Sequence, residues 1–237
     1  MNKIKVSAVS YTNTKPFVYG LTHSEVINKI DLTLDIPSDC ANKLINDQAD
    51  IGLVPVAALL HIPNYQIVSD YCIGATGAVD SVFIFSDKPI QEIRSVRLDS
   101  QSRTSNNLAL VLLKNYWKLK PEVVERDADA FVLIGDRTFG KKKEYNYAYD
   151  LAEEWQRFTG LPFAFAVWAA NKPIDSDFVS DFNIALKLGL DNRMEVIKDQ
   201  PLNGFDFQDY LQNKLDFNLN DQKRQAIDLF LKYIKEL

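Results

Sequence analysis

A polar turn at residues 10–14 (SYTNT) follows the apolar run 4–9 and leads to Pro16, where a helix could begin. Ligands of α/β proteins bind at the carboxyl ends of strands. Hydroxyl and amide groups, with free N–H groups at a helix start, can hold carboxylates without a metal. An ordinary polar loop with a helix cap is the alternative interpretation. The side chains that we expect to contact a ligand here are Ser10, Tyr11, Thr12 and Asn13.

A second polar segment, residues 99–106 (DSQSRTSN), lies between a predicted strand at 96–98 and a predicted helix at 104–117. One hydroxyl would cap the helix, and the helix N-terminus would add N–H donors and a partial positive charge. The guanidinium of Arg103 could pair with a carboxylate in a bidentate manner. We expect an anion-binding segment formed by Ser102, Arg103, Thr104 and Ser105.

Two further positions could contact a ligand in a cleft. Gly135 and Asp136 follow the predicted strand at 131–134, and a glycine there lets a ligand approach the backbone. Asp136 could instead cap the next segment or pair with Arg137. Ser81 lies within the apolar segment 78–85, where its hydroxyl could face a ligand or bond to the backbone.

These positions need an α/β framework to bring them together. Alternating patterns predict strands at 4–9, 32–36 and 51–54, with a helix that opens at Pro37 and takes Ser38 as its cap. Such an order predicts a parallel sheet covered by helices. The sequence predicts helices at residues 147–159, 177–188 and 221–234.

Two alternating segments, residues 78–85 and 163–169, predict long strands that cross between two lobes. We expect the first lobe to comprise residues 1–84 and 170–237, and the second lobe to comprise residues 85–169. A ligand would then bind in the cleft between them. One larger doubly wound sheet without a cleft is the alternative.

Composition narrows the classes of function. The 237 residues carry a net charge of −5, which argues against general nucleic-acid or anionic-membrane binding. Two cysteines, two histidines and the absence of a Gly-rich phosphate motif argue against zinc and dinucleotide sites. No nucleophile–base pair is recognisable. We expect a cytoplasmic protein, because the chain enters its first strand without a signal-like apolar segment.

Several segments, in order along the chain, resemble the MqnA family. The series is more specific than any single match, and it spans residues 4 to about 170. The segments are SYTNTKPF (10–17), ADIGLVP (49–55), GAVDSV (77–82), LDSQSRTS (98–105), LIGD (133–136), DLAEEW (150–155), TGLPF (159–163) and AVW (166–168).

The resemblance implies a type II periplasmic-binding-protein-like fold and chorismate dehydratase activity, without a cofactor, in the futalosine route to menaquinone. It implies a key catalytic role for Asn13, and chorismate as the small-molecule partner. Three alternatives remain at this point: a lyase of the sister MqnD family acting on a cyclic futalosine derivative, a non-catalytic solute-binding protein, and a regulatory ligand-binding domain. His23 and His61 do not lie where the sister family's histidine would be expected, which favours the MqnA family.

Overall fold

A computed structural model of the chain describes residues 3–198 and 205–237. Strands and helices alternate as an α/β protein requires, and the strands form two five-stranded sheets. The strands are β1 (Ile4–Val9), β2 (Ile30–Asp35), β3 (Ile51–Pro55), β4 (Gln66–Ala75), β5 (Val82–Ser86), β6 (Ser95–Arg97), β7 (Glu122–Val123), β8 (Ala130–Ile134), β9 (Tyr147–Asp150) and β10 (Phe163–Ala170). The helices are α1 (Lys15–Thr22), α2 (Pro37–Ile45), α3 (Arg103–Val111), α4 (Leu151–Thr159), α5 (Ser176–Asp191), α6 (Arg193–Ile197), α7 (Phe207–Asp209) and α8 (Asp221–Lys235).

The two sheets share one plan. The first has the order β2-β1-β3-β10-β4 and the second has the order β7-β6-β8-β5-β9. In each sheet, the strand next to the last runs antiparallel to both of its neighbours. That strand, β10 or β5, is the first one formed after the chain crosses from the other sheet. The three strands predicted to be parallel, β1, β2 and β3, are parallel, and antiparallel β10 and β5 make each sheet mixed.

The two crossings lie at residues 76–81 and 151–162. The predicted strand at 78–85 begins only at Val82, because Gly77 (φ 90°) and Asp80 (φ 56°) adopt left-handed backbone conformations that interrupt it. The lobe limits at 84 and 170 remain a prediction. Because β5 pairs within the second sheet and β10 within the first, we propose that the lobes change at these two crossings instead.

Two helix starts differ from the predicted ones. Helix α2 takes Ile36 as its N-cap, not Ser38, because Pro37 occupies the first helical turn and moves the cap one residue back. The predicted helix at 147–159 is instead strand β9 followed by helix α4. Asp150 caps α4 by accepting hydrogen bonds from the N–H groups of Ala152 (3.0 Å) and Glu153 (3.2 Å).

The C-terminal segment covers the outer edge of the first sheet. Residues 215–219 lie along β4, with backbone bonds from Asp216 to Gly74 (2.9 Å) and from Cys72 to Phe217 (2.8 Å). Helix α8 follows and packs against β10. Residues 215–219 thereby cover the edge of β4, which would otherwise be unpaired. The segment that precedes residue 215 reaches the space between the sheets.

No helix among residues 3–198 and 205–237 is long and apolar enough to cross a membrane.

Candidate functional site

A cleft between the two lobes contains a cavity of about 540 Å³, counting its open mouth. None of the described residues that line it is charged. Its polar lining comprises Tyr11, Asn13, Thr14, Ser81, Ser102, Ser105 and Gly135, and its apolar lining includes Val9, Ile73, Val79, Val82, Ile134, Phe165 and Leu215.

The turn after β1 forms one wall of the cavity. A short 3₁₀ helix at Thr12–Thr14 leads into α1, so that Asn13 is held between two helical segments. The fully buried Thr14 hydroxyl donates a hydrogen bond to Asn13 Oδ1 (3.1 Å). The oxygen end of the Asn13 amide is therefore occupied, and its NH₂ end is free to turn toward other groups.

The N-terminus of α3 forms the opposite wall. Ser102 is the N-cap of this helix: its Oγ accepts from the Ser105 N–H (3.1 Å) and donates to Ser105 Oγ (2.9 Å). Both side chains are buried and both line the cavity. The capping interpretation thus holds for Ser102, while the helix N-terminus still directs its positive end at the cavity.

Ser81 and Tyr210 meet at the crossing between the lobes. Ser81 lies just before β5, and its Oγ is 2.9 Å from the hydroxyl of Tyr210. The Asn13 side chain lies near enough to that hydroxyl to lower the pKa of Tyr210. Tyr210 is fully buried, and burial raises its pKa well above the usual value. The sequence analysis missed Tyr210, which lies in a short π-helical turn at Tyr210–Lys214 and belongs to no motif.

Three predicted site residues form hydrogen bonds between the lobes and do not line the cavity. The carboxylate of Asp136 accepts from the N–H of Thr12 (3.2 Å) and from its hydroxyl (2.9 Å). The hydroxyl of Thr104 accepts from the N–H of Ala57 (3.1 Å). Such bonds hold the two walls of the cleft together.

Two other predicted residues point away from the cavity. Arg103 donates to Asn42 Oδ1 (2.9 Å) across the lobes, and Ser10 is exposed, with its N–H donating to the Asp35 carbonyl (2.9 Å). The bidentate role predicted for the Arg103 guanidinium therefore has a competing partner in this arrangement.

The guanidinium of Arg137 lies near Tyr11 and lowers the pKa of its phenol, although the sequence analysis considered Arg137 only as a partner for Asp136. Its guanidinium instead pairs with the buried carboxylate of Asp99 (2.8 Å). Although partial burial lowers it, the pKa of Arg137 is raised by Asp99, so the guanidinium stays charged. The phenol of Tyr11 donates to Gln101, and burial raises its pKa despite the nearby Arg137.

The arrangement offers hydrogen bonding and positioning without a nucleophile–base pair among its described lining residues. His23 stacks on Tyr19 at the surface, with 3.9 Å between ring centroids. Burial raises the pKa of Cys40 to about 11 and that of Cys72 to about 12, so both thiols stay protonated. Within the described part of the chain, no cluster of three or more His, Cys, Asp or Glu side chains could hold a metal.

Comparisons with solved structures show the fold. A protein from Archaeoglobus fulgidus superposes with a TM-score of 0.72 at 15% identity, covering 99% of this chain and 96% of that one. A Candida albicans protein described as having the generic periplasmic binding protein fold gives 0.69 at 13% identity, covering 100% and 91%. The aliphatic sulphonate binding protein of Escherichia coli gives 0.60 at 13% identity, covering 98% and 92%. The predicted two-lobed, periplasmic-binding-protein-like α/β fold is confirmed.

Sequence comparisons are more specific. A curated chorismate dehydratase from Thermus thermophilus is 26% identical over 189 residues, which cover 68% of this chain and 69% of that protein. A family model described as menaquinone biosynthesis matches residues 4–236, which is nearly the whole chain. The chain therefore belongs to the menaquinone biosynthesis family.

Proposed function

We propose that this protein is a chorismate dehydratase, which eliminates water from chorismate to give 3-[(1-carboxyvinyl)oxy]benzoate on the futalosine route to menaquinone. Family membership and the similarity to a chorismate dehydratase support this proposal. The observation that carries it is an uncharged cleft whose lining brings together the Asn13 amide and the Ser81 hydroxyl.

The chemistry suits a site built from hydrogen bonds. The ring carbon that carries the enolpyruvyl ether loses its proton, and the neighbouring carbon loses its hydroxyl group. The C–H bond is acidified by conjugation through the ring double bond to the ring carboxylate. Proton and hydroxide leave as water, and the ring becomes aromatic. This driving force reduces what the protein must supply, so that orientation and charge stabilisation suffice.

Chorismate carries two carboxylates, which need separate binding positions. We propose that the N-terminus of α3, with the hydroxyls of Ser102 and Ser105, binds one of them. Ser81 would contact the substrate from the opposite side. Asn13 would orient the departing hydroxyl group, since its NH₂ end faces away from Thr14. The apolar lining would surround the ring and exclude water.

The proton acceptor in this proposal is the substrate's own enolpyruvyl carboxylate. The described cavity lining contains no carboxylate, imidazole or amine, and the nearby Asp136 already accepts hydrogen bonds from Thr12. A substrate carboxylate held near the ring carbon would be at high effective concentration.

The direct test is incubation of the purified protein with chorismate, followed by chromatography and mass spectrometry. We expect a new aromatic product that is lighter than chorismate by one water. Unchanged chorismate that nevertheless binds to the protein would contradict the dehydratase and favour a solute-binding protein. If chorismate does not bind, turnover of a cyclic futalosine derivative would instead identify a lyase of the sister type.

Replacement of Asn13 tests its role within this reaction. We expect Asn13→Ala to lower kcat by about 10²–10³-fold, the usual loss when one polar group is removed from a transition-state contact. Asn28→Ala is the matched control, because Asn28 is exposed and its side chain donates to Glu25 (2.9 Å), far from the cavity lining. Near-normal activity of Asn13→Ala, measured on folded protein, would remove Asn13 from catalysis.

A further inference from the structure

The ring of Tyr210 is fixed by an aromatic cluster behind the cavity. It packs against Phe139 of the second lobe, with 5.4 Å between centroids, and against Phe205, with 5.5 Å. Phe139 and Phe205 are themselves stacked, at 3.8 Å. With only 1% of its surface exposed, Tyr210 has a single direction in which to point its hydroxyl.

That hydroxyl meets the two cavity residues on which the proposed function depends. It donates to Ser81 Oγ (2.9 Å), and the Asn13 side chain lies near enough to lower the pKa of the phenol. Because Thr14 donates to Asn13 Oδ1 and the Asn13 side chain lowers the pKa of the phenol, the Asn13 NH₂ group is the end that faces the phenol. Tyr210 itself is not among the described residues that line the cavity.

This pattern determines what the two cavity residues can offer a ligand. Ser81 accepts the phenol proton, so its own O–H is left to donate toward the cavity. The NH₂ group of Asn13 has two N–H donors, so one can face the phenol while the other serves a ligand. Burial raises the pKa of Tyr210, which therefore keeps its proton at physiological pH.

We propose that Tyr210 is a positioning residue, which holds the Ser81 hydroxyl and the Asn13 amide in the orientation needed for the reaction. This inference rests on the proposed dehydratase function for its activity readout. Tyr210 makes and breaks no bond in the reaction, and it acts through its two partners. The aromatic neighbours of Tyr210 come from both lobes. The Tyr210 hydroxyl therefore reaches Ser81 and Asn13 when the lobes are arranged so that Phe139 packs against the Tyr210 ring.

Tyr210→Phe removes the hydroxyl and keeps the ring packing. We expect kcat for chorismate to fall by about 10- to 100-fold, the scale expected when reacting groups are misplaced, while KM changes by less than about threefold. Tyr149→Phe is the matched control. Tyr149 also uses its hydroxyl in a hydrogen bond, accepting from the Ile90 N–H (2.8 Å), but it lies outside the cavity. The control should retain kcat.

A double-mutant cycle separates positioning from a general loss of stability. If Tyr210 acts partly through Ser81, Tyr210→Phe should cost less in a Ser81→Ala background than in the wild type. Fully additive effects on kcat would overturn the inference. So would wild-type kcat in Tyr210→Phe.

A measurement made without substrate tests the role of Tyr210 independently of the proposed function. In ¹⁵N NMR spectra, Tyr210→Phe should shift the side-chain NH₂ signal of Asn13, assigned with an Asn13→Asp variant, and Tyr149→Phe should not. If the wild type fails to convert chorismate, the proposed function is wrong, and a shifted Asn13 signal would still support the positioning contact. An unshifted signal would overturn the inference whatever the activity.

Discussion

The backbone of Gly135 lies directly against the ring of Tyr11 from the other lobe. A Cβ at this position would be 2.9 Å from two ring carbons of Tyr11, closer than real Cβ atoms come. Gly135 also has φ 61° and donates its N–H to the Ser81 carbonyl (2.8 Å). Both the left-handed backbone and the missing side chain are therefore needed for the lobes to meet at the cleft.

A paired substitution separates these two needs. Gly135→Ala and Gly140→Ala both place Ala in the left-handed region, at a cost of about 1–2 kcal/mol in the free energy of unfolding. A Cβ at Gly140 meets no atom within 4 Å, so only Gly135→Ala disturbs Tyr11. We expect Gly135→Ala to weaken binding of the cleft ligand at least tenfold, and Gly140→Ala to leave it unchanged. Equal affinities in calorimetric titrations would contradict this account.

At the residue scale, the features that the sequence predicts are those set by local residue types. Hydroxyl-rich turns after strands mark the walls of the cavity, because strand ends and helix starts have recognisable residue types. Tyr210 could not be found in this way, since it lies 129 residues from Ser81 and only tertiary packing brings them together. The preference of Arg103 for Asn42 also depends on how the lobes meet.

Helices α1 and α5 cross at two glycines. A Cβ at Gly20 would be 1.9 Å from the Ala185 carbonyl oxygen, and one at Gly189 would be 1.7 Å from the Pro16 carbonyl oxygen. The helix backbones are thus in direct contact, and α1 begins immediately after Asn13 and Thr14. The position of the catalytic turn proposed here depends on this crossing.

Gly189→Ala tests that dependence. We expect it to lower the free energy of unfolding by about 1–3 kcal/mol, as overpacking does, and to reduce activity by displacing the start of α1. Ser180→Ala, on an exposed face of the same helix, should change stability by less than about 0.5 kcal/mol. Chemical denaturation would show the difference, and a Gly189→Ala protein as stable as the control would refute the close crossing.

At the element scale, segments with an uninterrupted apolar pattern were predictable, and segments whose pattern is broken or fits two kinds of element were not. Strand β1 is where its apolar run predicts it, and β3 is fully buried, as its apolar residues require. Strand β9 has only four residues and runs directly into α4, so its alternation was read as part of a helix. Strand β4 was missed because Ser69 and Asp70 interrupt its apolar pattern.

On the scale of the whole molecule, a buried lysine anchors the C-terminal segment. Lys223 at the start of α8 is fully buried, and its ammonium group donates to the carbonyls of Asp216 (3.0 Å) and Asn218 (2.6 Å). It also pairs with the Asp216 carboxylate at 2.7 Å. These contacts hold residues 215–219, which cover β4. The same segment is continuous with Tyr210 and with Leu215, which lines the cavity.

Removal of the Lys223 charge should destabilise the protein, and the loss of stability should depend on pH. Although burial raises it, the pKa of Asp216 is held below its usual value by Lys223. A carboxyl with a lowered folded-state pKa adds stability above its unfolded pKa of about 3.9 and loses it as the pH falls through the folded value. We expect Lys223→Met to cost about 3 kcal/mol at pH 7 and less near pH 3.

The exposed pair between Lys29 and Asp181 provides the control. Both side chains are about half exposed, so Lys29→Met should leave the free energy of unfolding nearly unchanged at either pH. Urea unfolding at the two pH values measures both variants. A Lys223→Met deficit that is the same at pH 3 as at pH 7 would show that the ion pair with Asp216 contributes nothing.

Strand β10 follows the second sheet along the chain but belongs to the first sheet, so the two lobes are completed at different times during synthesis. All five strands of the second sheet lie within residues 82–150 and can pair as soon as that stretch has left the ribosome. The first sheet cannot be completed at that time, because β10 lies between β3 and β4 and ends at Ala170. A nascent chain halted after residue 162 would therefore carry one finished sheet and one divided sheet. The lobe that begins the chain is the last to be completed.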